Sequence, residues 1–197
     1  MMKDKITILS SHKLLCASGK FFLYCKGSAL YKQKSNGGSE EYIGSVPGKF
    51  VFRLFSKSHI LCRLFRLEPR CGIFTDESIA LISIHGGVYR VDLEKGGIYR
   101  EHSFRKGMNN PLRFSKIENI KGFENCIVYG EYFGNLTKEE VCIYSRSKEG
   151  VWKRIDIFAQ NTVMHIHGIV PFPEMNCLFV LTGDEDKESG IWKIENN

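Results

Sequence analysis

A strand–turn–strand unit carrying an aromatic residue recurs through the chain, and it limits the possible folds more than any other feature. In its clearest copy, Cys142 to Trp152, two short apolar runs flank a turn containing Gly150, with Tyr144 before the turn and Trp152 after it. Val88-Tyr89-Arg90 leads through Gly96-Gly97 to Tyr99, and Leu30-Tyr31-Lys32 leads through Gly37-Gly38 to Tyr42. Ile191-Trp192-Lys193 begins a further copy. The anchors Tyr31, Tyr89, Tyr144 and Trp192 stand roughly 48 to 58 residues apart.

Alternation with a period of two predicts strands through most of the chain. They are expected at 5–9, 13–17, 20–25, 28–32, 41–46, 49–55, 78–84, 88–93, 98–104, 112–117, 125–129, 140–146, 151–158, 163–170, 177–182 and 190–194. At 59–67 the spacing of Leu61, Leu64 and Phe65 also suits a helix, but the surrounding repeats favour a strand. Four short antiparallel strands at a period of about 40–50 residues are the signature of a β-propeller blade. One such sheet cannot bury both faces alone; stacking against neighbours around an axis buries them. The expected fold is therefore all-β, a propeller of about four four-stranded blades covering 5–47, 49–104, 112–158 and 163–197. A sandwich or barrel is the alternative.

Composition agrees with a folded domain. Hydrophobic residues make up 43% of 197, enough for one sizeable core and too many for a disordered chain. The net charge of +6 is spread along the sequence without a dense Lys/Arg block, which argues against nucleic-acid binding. The seven cysteines include no Cys-x-x-Cys pair, so zinc ribbons are not expected; buried free thiols in a reducing compartment are. Ile6 to Leu9 is too short for a signal-peptide core, and no run reaches the roughly 20 apolar residues of a membrane span. A cytoplasmic location without membrane association is the expectation.

Ser145-Arg-Ser-Lys-Glu-Gly-Val-Trp152 resembles a degenerate Asp box, the Ser-x-Asp-x-Gly-x-Thr-Trp hairpin of sialidase-like BNR propellers. Ser145 and Trp152 match its ends, whereas Ser147 replaces the aspartate, and Glu149 and Val151 also depart. Residues 124–194 resemble a segment of uncharacterised bacterial BNR-type propellers, through Gly-Glu-Tyr at 130–132, His-Ile-His-Gly at 165–168 and Thr-Gly-Asp at 182–184. The resemblance implies a propeller, degenerate and shortened, and leaves its reaction undefined. Sialidase-like propellers usually have six or more blades. This chain is thus expected to be a partial propeller able to self-associate through open blade edges, or else a four-bladed ring closed by Lys5 to Leu9.

With strands a to d counted outward from the axis, the b–c and d–a loops emerge together on one face. That frame brings Tyr129–Glu139, Gly183–Ser189, Arg105–Pro111 and Ala159–Thr162 to one channel mouth, along with His165 and His167. The Asp-box-like hairpin falls on the opposite face, as a structural staple. Glu131, Tyr132, His165 and His167 are the catalytic candidates if the protein is an enzyme. Asn135, Arg113, Asp184 and Asp186 are candidate ligand contacts. Sialidase chemistry would also need an arginine cluster, for which Arg113, Arg63 and Arg66 are available, but no motif groups them.

Imidazole and carboxylate are suitable donors for a divalent metal, which makes His165, His167 and Asp184 or Asp186 possible ligands. The other reading is histidines bonded to neighbouring backbone beside a solvated acidic loop, with no cofactor. Asn135-Leu-Thr137 matches a glycosylation acceptor by pattern only, and the Gly-Gly pairs read as hairpin turns rather than phosphate loops. The leading functional expectation is a non-catalytic propeller that presents a loop-rich face to a glycan or protein. Alternatives are a carbohydrate-active enzyme, a sialidase-like glycoside hydrolase or polysaccharide lyase, and a truncated fragment without independent activity.

Overall fold

The computed structural model describes residues 10–48, 55, 59–65, 67–184 and 188–196, with the Arg63 side chain left out. The chain forms four antiparallel sheets, each built from consecutive strands. The first contains β1 (Lys13–Ala17), β2 (Phe21–Lys26), β3 (Ala29–Lys34) and β4 (Glu41–Ser45). The second contains β5 (Gly72–Phe74), β6 (Ile79–Ile84), β7 (Gly87–Asp92) and β8 (Ile98–Ser103). The third contains β9 (Ser115–Ile117), β10 (Cys126–Gly130), β11 (Val141–Arg146) and β12 (Trp152–Phe158). The fourth has three strands among the described residues, β13 (Ile166–Phe172), β14 (Cys177–Thr182) and β15 (Gly190–Glu195). This is a partial β-propeller of about four blades. Tyr31, Tyr89, Tyr144 and Trp192 all lie on the third strand of their sheets.

The two-residue period places the cores. On β6, Ala80, Ile82 and Ile84 pack with Leu23 and Leu30 of the first sheet, while Leu81 turns the other way, towards Ile127 and Tyr129 of the third. On β10, Ile127 and Tyr129 face the second sheet, and Val128 joins Ile166, Ile169 and Val180 of the fourth. Each central strand thus serves two cores at once, because successive side chains point to opposite faces. The second strands are almost wholly buried. The outermost strands are mostly exposed: β12 leaves Ile155 and Ile157 about 41–42% accessible.

Two expectations change. His59–Leu64 is a short helix, α1, rather than a strand. Its Cys62 is buried while Ile60 and Leu64 face outward, which a helical turn accommodates and the repeat pattern had obscured. The innermost strand of the second sheet is therefore β5, paired through Gly72–Phe74 with β6. The strands expected at 5–9 and 49–55 fall outside the described residues, apart from Phe55, which is helical. Among the described residues, no helix is long and apolar enough to cross a membrane. None of the seven cysteines, all among the described residues, forms a disulfide.

A polar seam crosses from the second sheet to the third. Arg146 on β11 donates two hydrogen bonds to Glu101 on β8, at 2.6 and 2.9 Å, and Trp152 Nε1 donates a third at 2.8 Å. The His102 ring stacks on Trp152 with centroids 4.8 Å apart, and its Nε2 lies 2.9 Å from the Tyr129 hydroxyl. Burial lowers the His102 pKa from 6.5, and nearby Glu101 offsets only part of that shift. Burial works to raise the Glu101 carboxyl, but the bonds from Arg146 and Trp152 outweigh it and hold the group below 4.5.

Both shifts have the same sign for stability. As pH falls below 6.5, the unfolded chain protonates at His102 before the native chain does, so stability declines towards the folded pKa. Glu101 adds a further loss below 4.5. The urea midpoint should therefore be lower at pH 5.5 than at pH 7.5, by a smaller margin in His102→Gln. Equal pH dependence in wild type and variant would remove His102 from this role.

Candidate functional site

The loops at the b–c corner differ in length from sheet to sheet. They comprise two residues in the first (Gly27–Ser28), two in the second (His85–Gly86), ten in the third (131–140) and seven in the fourth (183–189). His85 and Gly86 take positive φ values of 51° and 72°, as a tight two-residue hairpin demands. The extra chain in the third and fourth sheets builds the site.

The 131–140 loop is anchored from within. Glu131 is 3% exposed. Arg105 Nε and Nη2 donate to its two carboxylate oxygens at 2.7 and 2.8 Å, and the Cys142 N–H donates to one of them at 2.9 Å. Arg105 Nη2 also donates to the Glu140 carbonyl at 2.5 Å. These bonds to Glu131 push the guanidinium pKa further up. Asn135 is buried and closes the loop on itself, donating to the Glu139 carbonyl at 2.9 Å and accepting from the Glu139 N–H at 2.8 Å. The Ile166 N–H donates to the Glu131 carbonyl at 2.9 Å, tying the loop to the start of β13.

That junction carries the two histidines. The β13–β14 register shifts between Ile166 and Gly168, so His167 is the bulged residue; bulges re-aim side chains next to sites. His165 is buried, and its Nδ1 lies 3.0 Å from the Phe133 carbonyl. Since a carbonyl only accepts, Nδ1 carries a proton and donates, and Nε2 faces His167 and Asp184. His165 Nε2 is 3.1 Å from His167 Nε2 and 3.0 Å from Asp184 Oδ2. His167 Nε2 is 3.1 Å from Asp184 Oδ1 and 3.3 Å from the Gly183 carbonyl. Tyr132 covers the pair, with its ring centroid 4.4 Å from that of His165 and 6.0 Å from that of His167. Lys138 and Glu188 form an ion pair that joins the two long loops.

Beside Tyr132 lies a cleft of about 310 Å³, lined by Glu68, Arg70, His85, Asn109, Asn110 and Tyr132 among others. The Asn110 side-chain oxygen is buried without a hydrogen-bond partner. The opposite face holds a cleft of about 400 Å³ between the second and third sheets, where Ser147, Lys148 and Glu149 of the 145–152 hairpin take part. There Arg146 is engaged by Glu101 and Lys116 by Glu118.

The structure brings His165, His167, Asp184 and Tyr132 together. Glu131 stands one residue from Tyr132, but its carboxylate is given to Arg105 and Cys142. Asn135 serves its own loop. The exposed Arg113 lies against Gly168, where an added Cβ would meet its Cδ at 2.8 Å. Asp186 and Arg66 fall outside the described residues, as does the Arg63 side chain. Sequence reading did not single out Arg105, the Phe133 carbonyl or Asn110. Arg105 opens a d–a loop at the mouth, which was the one available signal for it.

No protein-family model matches the chain. No curated protein sequence matches it either. Among solved structures, an oligogalacturonate lyase from Vibrio parahaemolyticus is similar with a TM-score of 0.48 and 13% identity, over 94% of this chain and 52% of that one. The chain thus spans about half the length of that protein, and a likeness of this degree assigns it neither a family nor an activity.

Proposed function

We propose that this chain is a non-catalytic propeller unit that binds a glycan at the mouth of its loop-rich face, in the cleft beside Tyr132. The observation that carries the reading is a cleft that presents the Tyr132 ring, the Arg70 guanidinium and the carboxamide residues Asn109 and Asn110 together. Carboxamides, a guanidinium and a phenol ring together suit a hydroxyl-rich molecule with apolar C–H faces. Binding is favoured over hydrolysis because Glu131, the best-placed acid or base, is committed to an ion pair and a backbone N–H.

Kinship with BNR propellers belongs to the same proposal, as a matter of descent rather than chemistry. In the 145–152 turn the Ser147 hydroxyl accepts from the Val151 N–H at 3.3 Å, a bond that an aspartate at this position would also make. The hairpin therefore holds its shape without the carboxylate.

Calorimetric titration with a panel of oligosaccharides tests the reading. Wild type should show saturable binding, and Tyr132→Ala should weaken it about tenfold, or about 1.4 kcal/mol. Absence of binding across the panel would overturn the glycan assignment, and turnover of any panel member would replace binding with catalysis.

A further inference from the structure

We propose that His165, His167 and Asp184 form a binding site for one divalent first-row transition-metal ion, with zinc the best-suited. The two Nε2 atoms lie 3.1 Å apart, and each has a different Asp184 carboxylate oxygen at 3.0–3.1 Å, so one ligand atom from each of the three residues falls within 4.8 Å of the others. A tetrahedral zinc with ligands at about 2.1 Å sets its donors about 3.4 Å apart. The cluster is therefore within side-chain adjustment of three corners of a coordination sphere.

The ring orientation points the same way. The contact with the Phe133 carbonyl fixes His165 Nδ1 on the far side, so its Nε2 faces the Asp184 carboxylate and the second imidazole. A single cation between them would engage both imidazoles and the carboxylate at once. The Nδ1–H···O=C bond is also the kind of outer contact that orients ligating histidines.

Selectivity follows from the donors. Two imidazoles and one carboxylate favour zinc and its neighbours over calcium or magnesium, which need more oxygen ligands. The chain's thiols offer little competition. Cys16 and Cys25 are pushed up to about 12 by burial and Cys71 to about 11, so the thiolate form that metals require is scarce. Asp184 and His167 are partly solvent-exposed, so the remaining coordination positions are open to water or to a ligand in the mouth.

This inference stands apart from glycan binding and fails separately from it. The test is titration of tag-free, chelator-stripped full chain with Zn²⁺, Co²⁺ and Ca²⁺, read by calorimetry, by the Co²⁺ absorption spectrum and by the shift in Tm. Wild type should take up one Zn²⁺ per chain at micromolar Kd or tighter, show a Co²⁺ spectrum with nitrogen ligands, and gain thermal stability with Zn²⁺ but not with Ca²⁺. His167→Ala and Asp184→Asn alter exposed groups, so both variants should fold, and each should bind Zn²⁺ about 100-fold more weakly. Equal Zn²⁺ uptake by wild type and by the double variant, with both folded by circular dichroism, would overturn the site. So would Ca²⁺ binding as tight as Zn²⁺ binding.

Discussion

Arg105→Ala is expected to destabilise the protein by about 3–5 kcal/mol, the cost of stripping a buried charge of its partner. The Glu131 carboxylate accepts two of its three hydrogen bonds from Arg105, and the variant leaves it only the Cys142 N–H. Water cannot readily take the place of the guanidinium, because the Glu131 side chain is 2% exposed. The loss should appear as a lower urea midpoint with an unchanged slope. The double variant Arg105→Leu/Glu131→Leu should recover most of it, since replacing both partners removes the stranded charge. A loss below about 1 kcal/mol in the single variant would mean that the pair is solvated.

Gly130→Ala should have a comparable effect by a different route. An added Cβ would lie 2.2 Å from Ile166 Cγ2 and 2.4 Å from Ile166 Cβ. Ile166 Cβ is fixed to the backbone, so rotamer change cannot relieve the clash and β13 itself must move away. Overpacking of this kind costs about 1–3 kcal/mol, here towards the upper end because the obstacle is main-chain-anchored. The movement should also reach His165 and His167, which flank Ile166. Zn²⁺ affinity should then fall together with stability. Gly130→Ala/Ile166→Gly removes the obstructing Cβ and should recover Zn²⁺ affinity, while stability stays below wild type through loss of the buried Ile166 side chain. If the single variant lowered stability while Zn²⁺ uptake stayed intact, the histidines would be held by the 131–140 loop rather than by the β10–β13 contact.

Much of this architecture was legible because it is local. Period-two alternation located β1, β11 and β14 to within a residue, and the spacing of Tyr31, Tyr89, Tyr144 and Trp192 marked equivalent strands. The histidines at 165 and 167 were legible as a close pair near the start of an inner strand, and the blade frame carried Gly183 and Asp184 to their side. His59–Leu64 was misread because a repeat pattern in the neighbouring chain outweighed the helical spacing of Leu61, Leu64 and Phe65. Arg105 with Glu131 and Gly130 against Ile166 could not be read at all. They join residues 26 and 36 positions apart, and alternation reports which side of a strand a residue faces but not what stands opposite. Loop length offered a coarser clue, since the two long b–c connections are those that hold the site.

The anchoring of residues 131–135 has a consequence for recognition. Glu131, Phe133 and Asn135 are buried, and Tyr132 and Gly134 between them face outward, so the loop keeps a strand-like alternation without belonging to a sheet. Its inward side chains are already fixed by Arg105, by packing and by Glu139. A molecule arriving at the mouth therefore meets a surface whose conformational freedom was lost during folding. Ordering a free loop would subtract about 0.5–1.5 kcal/mol per side chain from affinity. Here that penalty falls instead on the stability of the empty protein, so loosening Arg105 should slow or weaken capture even though Arg105 does not line the cleft.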